Sequence, residues 1–364
     1  MEFNLPQFFV SIADPRIDRC KQHAMEDIIA LTVIAVICGA EGWESIEEFG
    51  KSKEEFLKTI LQLPNGIPSH DTIERLFKRL DSTQFEKCFS QWTNQIKGAG
   101  VVNHIGIDGK TVRGSRDENN GKYAIHMVSA WSYEHQLILG QLKTEKKSNE
   151  IEAIKQLIDL LSIEASTITI DAMGCQKEIA EKIISKNADY ILAVKDNQGN
   201  LAQEVTALFK SRTPNDQYKS IEKDHGRIET RTCRIINDLE WLDGQKDWAG
   251  LQTIVCVQAV RQWAGHHSTE TRYYISSKNQ SAQQFNADIR NHWSIENQLH
   301  WVLDVQFRED ESRKRADQTA ENFAIVRRIA FTYLKKTKLK RMGIHNKQLK
   351  AAWYNDFLLS ILEN

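Results

Sequence analysis

The chain has 364 residues, of which 41% are apolar and 27% charged, a composition typical of a soluble globular protein with about two domains. Its longest apolar run extends only from Ile28 to Ala40, and a membrane-spanning helix needs about 20 residues. The six cysteines are scattered without a C-x-x-C pair, which argues against a zinc ribbon or a disulfide framework. The opening MEFNLPQFF lacks the basic start and apolar core of a signal peptide, so we expect a cytoplasmic protein with no membrane contact.

Charge is distributed unevenly along the chain, although the formal net charge is only −1. Residues 1–60 contain 6 Lys or Arg against 11 Asp or Glu, whereas residues 313–350 contain 12 against 2. The near-neutral total argues against a generic nucleic-acid binder. The basic tract is a candidate phosphate-binding surface, but a solvated helical face would produce the same pattern, and charge alone leaves both interpretations open.

Residues 1–97 predict an all-helical N-terminal domain. Apolar residues recur at helical spacing between Ile28 and Cys38. Asp71 followed by Glu74 resembles a capping box and predicts a helix through Leu80. Basic residues occupy the outer face of that helix: Arg75, Lys78 and Arg79. Short helices and a tight turn fit a helix-turn-helix-like DNA-binding unit, and a plain helical bundle fits them as well.

The pattern changes after the linker-like segment Lys97-Gly98-Ala99-Gly100 to an α/β region over residues 101–312. The predicted order is β-β-β-α-β-α-β. Strands are expected at 104–108, 123–131, 136–143, 167–171 and 190–195, and helices at 150–162 and 172–186. Such alternation indicates a mixed sheet flanked by helices.

Residues from about 196 to 285 interrupt this alternation and predict a β-rich insertion. Its β-rich runs are 227–236, 253–262 and 271–276. A long helix is then expected from about Asn286 to Asp304. Residues 313–364 are expected to form a basic helical C-terminal tail.

Two aspartates share one context in the α/β region. Asp108 ends the run HIGID and Asp171 ends the run TITID, and each strand breaks off at once. Sites in open α/β sheets form at the carboxyl ends of strands, so parallel first and fourth strands would place the two carboxylates side by side. Their repulsion would be relieved by a divalent cation, and oxygen ligands suit Mg²⁺ or Mn²⁺. A turn or a helix cap would also explain each aspartate alone.

A third acidic residue, Glu296, lies on the predicted long helix. It shares a helical stripe with large side chains, namely Ile289, Trp293, His300 and Leu303. A carboxylate among half-buried groups needs a partner or a metal ion, and the alternative is a surface residue or an ion pair with Arg290. Two strand-end aspartates and a helical glutamate in this order predict a metal site formed by Asp108, Asp171 and Glu296.

Several segments of the chain form an unusual combination. They are IGIDGKTVRGS (105–115), HMVSAWS (126–132), LILGQLKTEKKSNEI (137–151), ITIDAMGCQKEIA (168–180), DYILAVKDNQGNL (189–201), HGRIETR (225–231), YYISS (273–277) and IRNHWSIENQLHWVLDVQFRED (289–310). In these segments the chain resembles the DDE transposases of bacterial insertion sequences, in the subgroup of H-repeat-associated proteins. The resemblance extends over nearly the whole chain.

The resemblance implies a catalytic domain similar in fold to ribonuclease H, with Asp108, Asp171 and Glu296 as its metal-binding triad. It implies two Mg²⁺ or Mn²⁺ ions per site, no small-molecule cofactor, and DNA as the partner. The expected activity is cleavage at the ends of an element, followed by attack of the freed 3′-hydroxyl on target DNA. A homodimer would suit the pairing of two ends, although no coiled-coil heptad is visible.

The chain departs from the family pattern around the glutamate. Related transposases carry the pattern Y-x2-R-x3-E-x6-K, and here the Tyr, Arg and Lys positions hold Ile289, His292 and Leu303. Arg290 is adjacent to the arginine position. We therefore predict that Arg290 and His292 contact DNA phosphate or the developing oxyanion.

Further basic residues are candidates for DNA binding. Lys110 and Arg113 follow the first strand, where they either hold phosphates or are exposed turn charges. Arg227 would share one strand face with His225, Glu229 and Arg231. That set either contacts DNA or forms cross-strand ion pairs.

Other functions fit parts of the pattern. A two-metal nuclease on the same fold would cut DNA without joining it. A DNA-binding repressor that has lost catalysis would bind the element ends without cleaving them. Zinc chemistry at His266 and His267 lacks any supporting ligand spacing.

Overall fold

The structure, a computed structural model, describes residues 5–97, 102–117, 121, 123–144, 149–224, 226–337, 339 and 341–363. Residues 98–100 of the predicted linker and His225 lie outside these ranges. No helix in the described part of the chain is both long and apolar enough to cross a bilayer.

Helices occupy the N-terminal quarter, and strands begin at residue 104. The strands are β1 His104–Thr111, β2 His126–Ser132, β3 Leu137–Thr144, β4 Thr167–Ile170, β5 Asp189–Val194, β6 Asp216–Asp224, β7 Arg227–Ile236, β8 Thr253–Trp263 and β9 His266–Ser276. The helices are α1 Met25–Ile37, α2 Trp43–Ser52, α3 Glu54–Leu57, α4 His70–Arg79, α5 Ser82–Lys97, α6 Glu150–Leu160, α7 Lys177–Ser185, α8 Gly199–Ser211, α9 Ala282–His292, α10 Trp301–Val305, α11 Thr319–Lys336, α12 Ile344–Trp353 and α13 Asn355–Leu362.

The described strands form one sheet in the order β3-β2-β1-β4-β5-β9-β8-β7-β6. At its centre β1, β4 and β5 are parallel neighbours, and the remaining pairings are antiparallel. The central strand β4, with the sequence TITI, is buried along its whole length, as expected where helices cover both faces. The predicted α/β class, a ribonuclease H-like mixed sheet flanked by helices with a helical N-terminal region, is confirmed.

The strands of the predicted β-rich insertion continue the main sheet. β9 pairs with β5, and β8, β7 and β6 follow outward. The β-rich runs in the sequence correspond to β7, β8 and β9, whereas β6 and helix α8 were not predicted. β6 has the sequence DQYKSIEKD and lies at the sheet edge. Charged edge strands lack the apolar alternation by which strands are recognised.

Helices cover both faces of the sheet and form separate apolar layers. On one face α6, α7 and α8 contribute Ile154, Ile179 and Val205 to a layer that includes β1 and β4. On the other face α9 packs through Phe285 and Ile289 against β5, β7 and β8.

The basic C-terminal region packs against the N-terminal helices, with which it shares one apolar core. The rings of Phe77 and Phe323 lie 5.5 and 5.2 Å from the ring of Trp43. In α11, Arg327 and Arg328 are only 3% and 0% exposed. A helix with apolar residues around most of its circumference becomes buried. These two arginines therefore belong neither to a phosphate-binding surface nor to a solvated face, the two interpretations that charge alone had left open.

Helix α4 begins at a different cap from the one that the sequence predicted. The hydroxyl group of Ser69, not the carboxylate of Asp71, accepts a hydrogen bond from the backbone N–H of Thr72 (3.4 Å). Serine is among the preferred N-cap residues. On the outer face of this helix, Lys78 forms an ion pair with Glu74 at 2.9 Å.

Candidate functional site

Asp108 and Asp171 lie side by side at the carboxyl ends of neighbouring parallel strands. Ile107 of β1 is in register with Ile170 of β4, so the residue after each of them is an aspartate at the same level of the sheet. Neighbouring strands are about 4.8 Å apart. The arrangement expected from the HIGID and TITID runs is therefore present.

The carboxylate of Asp108 has a histidine partner. Its Oδ1 accepts a hydrogen bond from the backbone N–H of Gly109 (2.9 Å), and its Oδ2 lies 3.3 Å from Nδ1 of the buried His300. Burial by itself would raise the pKa of Asp108, but the hydrogen bond to His300 and the electrostatic interactions with His300 and His292 outweigh it and lower that pKa. The geometry thus favours the ionised form of Asp108.

Asp171 serves as a cap and also carries an unfavourable charge. Its Oδ1 accepts a hydrogen bond from the backbone N–H of Met173 (2.9 Å) in the short 3-10 turn that follows β4. Partial burial raises the pKa of Asp171, and the negative charges of Asp108 and Glu150 raise it further. The hydrogen bond from Met173 satisfies one carboxylate oxygen of Asp171, but the charge of Asp108 still opposes the ionisation of Asp171.

Glu296 lies on a broken helix rather than on the continuous one that was predicted. Helix α9 ends at His292, and a π-helical turn from Glu296 to His300 leads into α10. Members of the predicted stripe differ in burial, since His300 and Leu303 are buried while Glu296 is exposed. π-Turns of this kind are frequent at functional sites. The expectation of a half-buried glutamate is therefore corrected.

Electrostatic coupling links Glu296 to the two strand-end aspartates. Partial desolvation raises the pKa of Glu296, and the charges of Asp108 and Asp171 act in the same direction. The charge of Asp108 thus opposes the ionisation of both Asp171 and Glu296.

The donor chemistry of these three residues fits a hard divalent cation, since carboxylate oxygens are the ligands that Mg²⁺ and Mn²⁺ prefer. A cation would also relieve the repulsion that raises the pKa values of Asp171 and Glu296. Asp108, Asp171 and Glu296 are farther apart than the ligands of a formed metal site. Within the described ranges, no three His, Cys, Asp or Glu side chains lie close enough together to hold one ion. Glu296 would have to approach the strand ends for all three to share an ion.

Two of the basic residues predicted to contact DNA have partners within the protein. The Nδ1 atom of His292 lies 3.0 Å from Oγ1 of Thr169 on β4. Lys110 is only 7% exposed and is paired with three carboxylates: Asp304, Glu309 and Asp310. An ammonium group enclosed in this way is neither a phosphate ligand nor an exposed turn charge. Lys110 is therefore enclosed by carboxylates, whereas contact between His292 and DNA stays a prediction.

The other predicted basic residues are accessible. The Arg113 side chain is 83% exposed, with its Nε 3.5 Å from Asp310. Arg227 is exposed at the start of β7, and Arg290 is exposed on α9, where it pairs with Glu222 of β6. These three remain available to a ligand on the surface.

An open cleft of about 530 Å³ adjoins Glu296 and is rich in arginine. Its walls include five arginines from three strands and α9: Arg227, Arg231, Arg261, Arg272 and Arg290. Arg261 and Arg272 were not predicted, because they share a sheet face with Arg227 and Arg231 only once β7, β8 and β9 are paired. Charged residues alternate within each of these strands in the sequence, but that alternation does not show which strands are neighbours in the sheet.

Two glutamates hold these arginines in place. The buried Glu229 lies 3.0 Å from Arg231, 3.4 Å from Arg261 and 3.5 Å from Arg227. Glu270 pairs with Arg261 at 3.2 Å and with Arg272 at 2.7 Å. The predicted cross-strand ion-pair set is thus present, and it is part of the cleft. With Glu296 in the wall and Glu222 beside Arg290, five arginines face four glutamates, which leaves the cleft with a small excess of positive charge.

Comparisons with known proteins agree over the length of the chain. Residues 80–333 match the family model described as "Transposase DDE domain", and residues 6–93 match the model described as "DDE_Tnp_1-associated". The chain is 42% identical over 351 residues to the "H repeat-associated putative transposase YhhI" of Escherichia coli (strain K12), which covers 94% of this chain and 93% of that protein. It is 43% identical over 367 residues to the "Putative transposase YncI" of Escherichia coli O157:H7, covering 99% and 94% respectively. Among solved structures, the piggyBac transposase synaptic complex with hairpin DNA aligns with a TM-score of 0.47 and 11% identity, over 99% of this chain and 77% of that one.

Proposed function

The chain belongs to the transposase DDE domain family, and from that membership we propose that it cleaves DNA at the ends of a mobile element and joins the freed 3′ ends to target DNA. Asp108, Asp171 and Glu296 are the proposed catalytic residues. The observation that supports this assignment best is the register of β1 and β4, in which Asp108 and Asp171 follow neighbouring residues at the carboxyl ends of the two strands. The coupling of Glu296 to both aspartates supports its place as the third carboxylate.

The three carboxylates would hold the Mg²⁺ or Mn²⁺ ions of the proposed site. When bound, such ions activate the attacking hydroxyl group and stabilise the leaving oxygen in phosphoryl transfer. The protein's own groups prepare this arrangement. The hydrogen bond and charge interaction with His300 favour the ionised form of Asp108, and the short turn after β4 fixes one oxygen of Asp171. Glu296, at the start of the π-helical turn, is the third proposed ligand.

The proposed DNA surface is the arginine-rich cleft beside Glu296. Arg227 and Arg290 line it, and Arg113 offers a further exposed guanidinium group. Guanidinium groups bind phosphate oxygens in a bidentate manner and suit the DNA backbone. A homodimer that pairs two element ends and a cytoplasmic location remain predictions.

Single substitutions test the three carboxylates. Asp108→Ala, Asp171→Ala and Glu296→Ala should each reduce Mg²⁺-dependent cleavage of element-end DNA by more than about 100-fold, the upper range for loss of an outer-shell partner of a metal ligand. Asp247→Ala, in an exposed ion pair with Lys177, is the matched control and should leave cleavage unchanged. Undiminished cleavage by one of the three variants would remove that residue from the assignment.

A second assay separates the proposed activity from its alternatives. Wild-type protein supplied with pre-cut ends should join them to target DNA in Mg²⁺. Cleavage without joining would identify a nuclease. Binding to end DNA with neither reaction would identify a DNA-binding protein without catalysis.

A further inference from the structure

We infer that Lys110 is a positioning residue of the proposed site, because its ammonium group fixes the segment that follows Glu296 to the strand that carries Asp108. The inference rests on the proposed function, whereas the contacts of Lys110 are features of the structure. The Lys110 clasp consists of Lys110 and the three carboxylates around it, Asp304, Glu309 and Asp310.

The clasp is formed by short ionic contacts inside the protein. Nζ of Lys110 lies 2.7 Å from Asp304, 3.2 Å from Glu309 and 3.0 Å from Asp310. The Lys110 side chain is only 7% exposed, so the three carboxylates enclose its ammonium group.

The position of the clasp connects the two parts of the site. Lys110 is two residues after Asp108 on β1, so both side chains project from the same face of the strand. Asp304 belongs to α10, which begins where the π-helical turn of Glu296 ends. One ammonium group thus joins the strand of the first aspartate to the helical run of the glutamate.

Backbone packing next to the clasp holds the same two segments together. The backbone N–H of Arg113 donates to Oδ1 of Asp310 (3.1 Å), and Nε of Arg315 donates to the carbonyl oxygen of Gly114 (2.9 Å). A Cβ atom at Gly114 would lie 2.3 Å from the carbonyl oxygen of Ser312, so only glycine fits there. The contact is close-packed, and it joins the turn after β1 to the segment after α10.

The clasp is anchored on the far side by α11. Glu309, which is fully buried, also accepts a hydrogen bond from Arg328 (2.8 Å). Without Lys110, three acidic side chains would face one another with too few cations, and the 304–310 segment would be repelled from β1. The repulsion would shift Glu296 relative to Asp108.

Lys110→Met in the full-length chain tests the inference, because methionine keeps most of the side-chain length and removes the charge. The expected result is a loss of about 100-fold in the single-turnover cleavage rate at saturating DNA, the effect of a misplacement of about 1 Å. The dissociation constant for DNA should not change. Amide hydrogen exchange should become faster in peptides from residues 295–311, and Lys110→Arg should restore much of the rate.

The matched control is Lys143→Met. Lys143 joins β3 of the same sheet to Glu321 of α11 and forms no ion pair with α10 in the described structure. This variant should leave both the cleavage rate and the exchange of residues 295–311 unchanged. If Lys110→Met does not fold, Asp304→Asn removes one contact of the clasp and should cause a smaller change in the same direction.

Three outcomes would overturn the inference. Weaker DNA binding by Lys110→Met with an unchanged saturated rate would make Lys110 a DNA ligand. Faster exchange over the whole chain, with none specific to residues 295–311, would make it a general stabiliser. An unchanged rate and exchange would remove it from the site. If the wild-type chain does not cleave DNA, the proposed function fails, and the exchange pattern still decides whether the clasp holds the segment.

Discussion

Nδ1 of His300 lies 3.3 Å from Oδ2 of Asp108, at the point where the helical run that carries Glu296 meets the sheet. Both His300 and Glu296 belong to the π-helical turn, in which His300 is buried against Asp108 while Glu296 is exposed. Asp108 therefore has a partner that favours its charge, whereas the charges of Asp171 and Glu296 are opposed by Asp108.

Divalent metal ions should stabilise the folded protein, because they relieve this opposition. At a free Mg²⁺ or Mn²⁺ concentration 100 times the dissociation constant, binding contributes about 2.7 kcal/mol to the free energy of unfolding. The thermal midpoint should rise on addition of metal and fall again with a chelator. Asp108→Asn combined with Asp171→Asn should abolish the rise. The same rise in that double variant would mean that the ions bind elsewhere.

Gly109→Ala should destabilise the protein and damage the site. A Cβ atom at Gly109 would lie 2.4 Å from Nε2 of His126 and 2.6 Å from Oε1 of Glu150, both of which are buried. We expect a loss of about 1–3 kcal/mol in the free energy of unfolding, the usual effect of overpacking. Cleavage should fall as well, because Asp108 is the preceding residue. Gly199→Ala is the control, since nothing lies within 4 Å of its added atom; equal stability of both variants would contradict the prediction.

Glu309→Gln should be strongly destabilising near neutral pH. Burial alone would raise the pKa of Glu309, but the charges of Arg328 and Lys110 outweigh it and lower the pKa to about 2 from the usual 4.5. Removing one partner of a buried ion pair costs about 3–5 kcal/mol. Urea unfolding at pH 7 measures the loss. The neighbouring Glu311→Gln, in an exposed pair with Arg308, should cost no more than about 1 kcal/mol.

The pH dependence of the Glu309→Gln effect has a definite sign. A carboxyl group whose pKa is lower in the folded state stabilises the protein above its unfolded pKa and loses that contribution as the pH falls. The difference in unfolding free energy between wild type and Glu309→Gln should therefore be constant above about pH 4.5 and shrink between pH 4.5 and 2. A difference that grew in this range would show that Glu309 is not held as a carboxylate.

The sequence was sufficient for the parts of the site that depend on local pattern. Asp108 and Asp171 could be paired because each ends a short apolar run, and the order of strands and helices makes β1 and β4 parallel neighbours. β2 and β3 were likewise predictable from two β-rich runs joined by a short turn. In each case the decisive information lies within a few residues, or follows from the general rules of strand connection.

The remaining features depend on contacts between distant segments. Lys110 is buried by three acidic residues that follow it by almost two hundred positions, and its own neighbourhood reads as an exposed turn. The π-helical turn at Glu296 changes the helical spacing by one residue, which periodicity cannot detect. Arg261 and Arg272 reach the cleft only through the pairing of β7, β8 and β9.

Arg227 and Arg290 should carry part of the salt dependence of DNA binding. Each phosphate contact contributes about 0.9 to the slope of log affinity against log salt concentration. Arg227→Ala and Arg290→Ala should each weaken DNA binding and reduce the slope by about 1. Glu222→Gln should strengthen binding, because it removes the acidic partner of Arg290. Arg212→Ala, at a guanidinium group that stacks 4.3 Å from the Trp241 ring outside the cleft, should change neither quantity. Slopes that stay equal to that of the wild type in both arginine variants would place the DNA elsewhere on the protein.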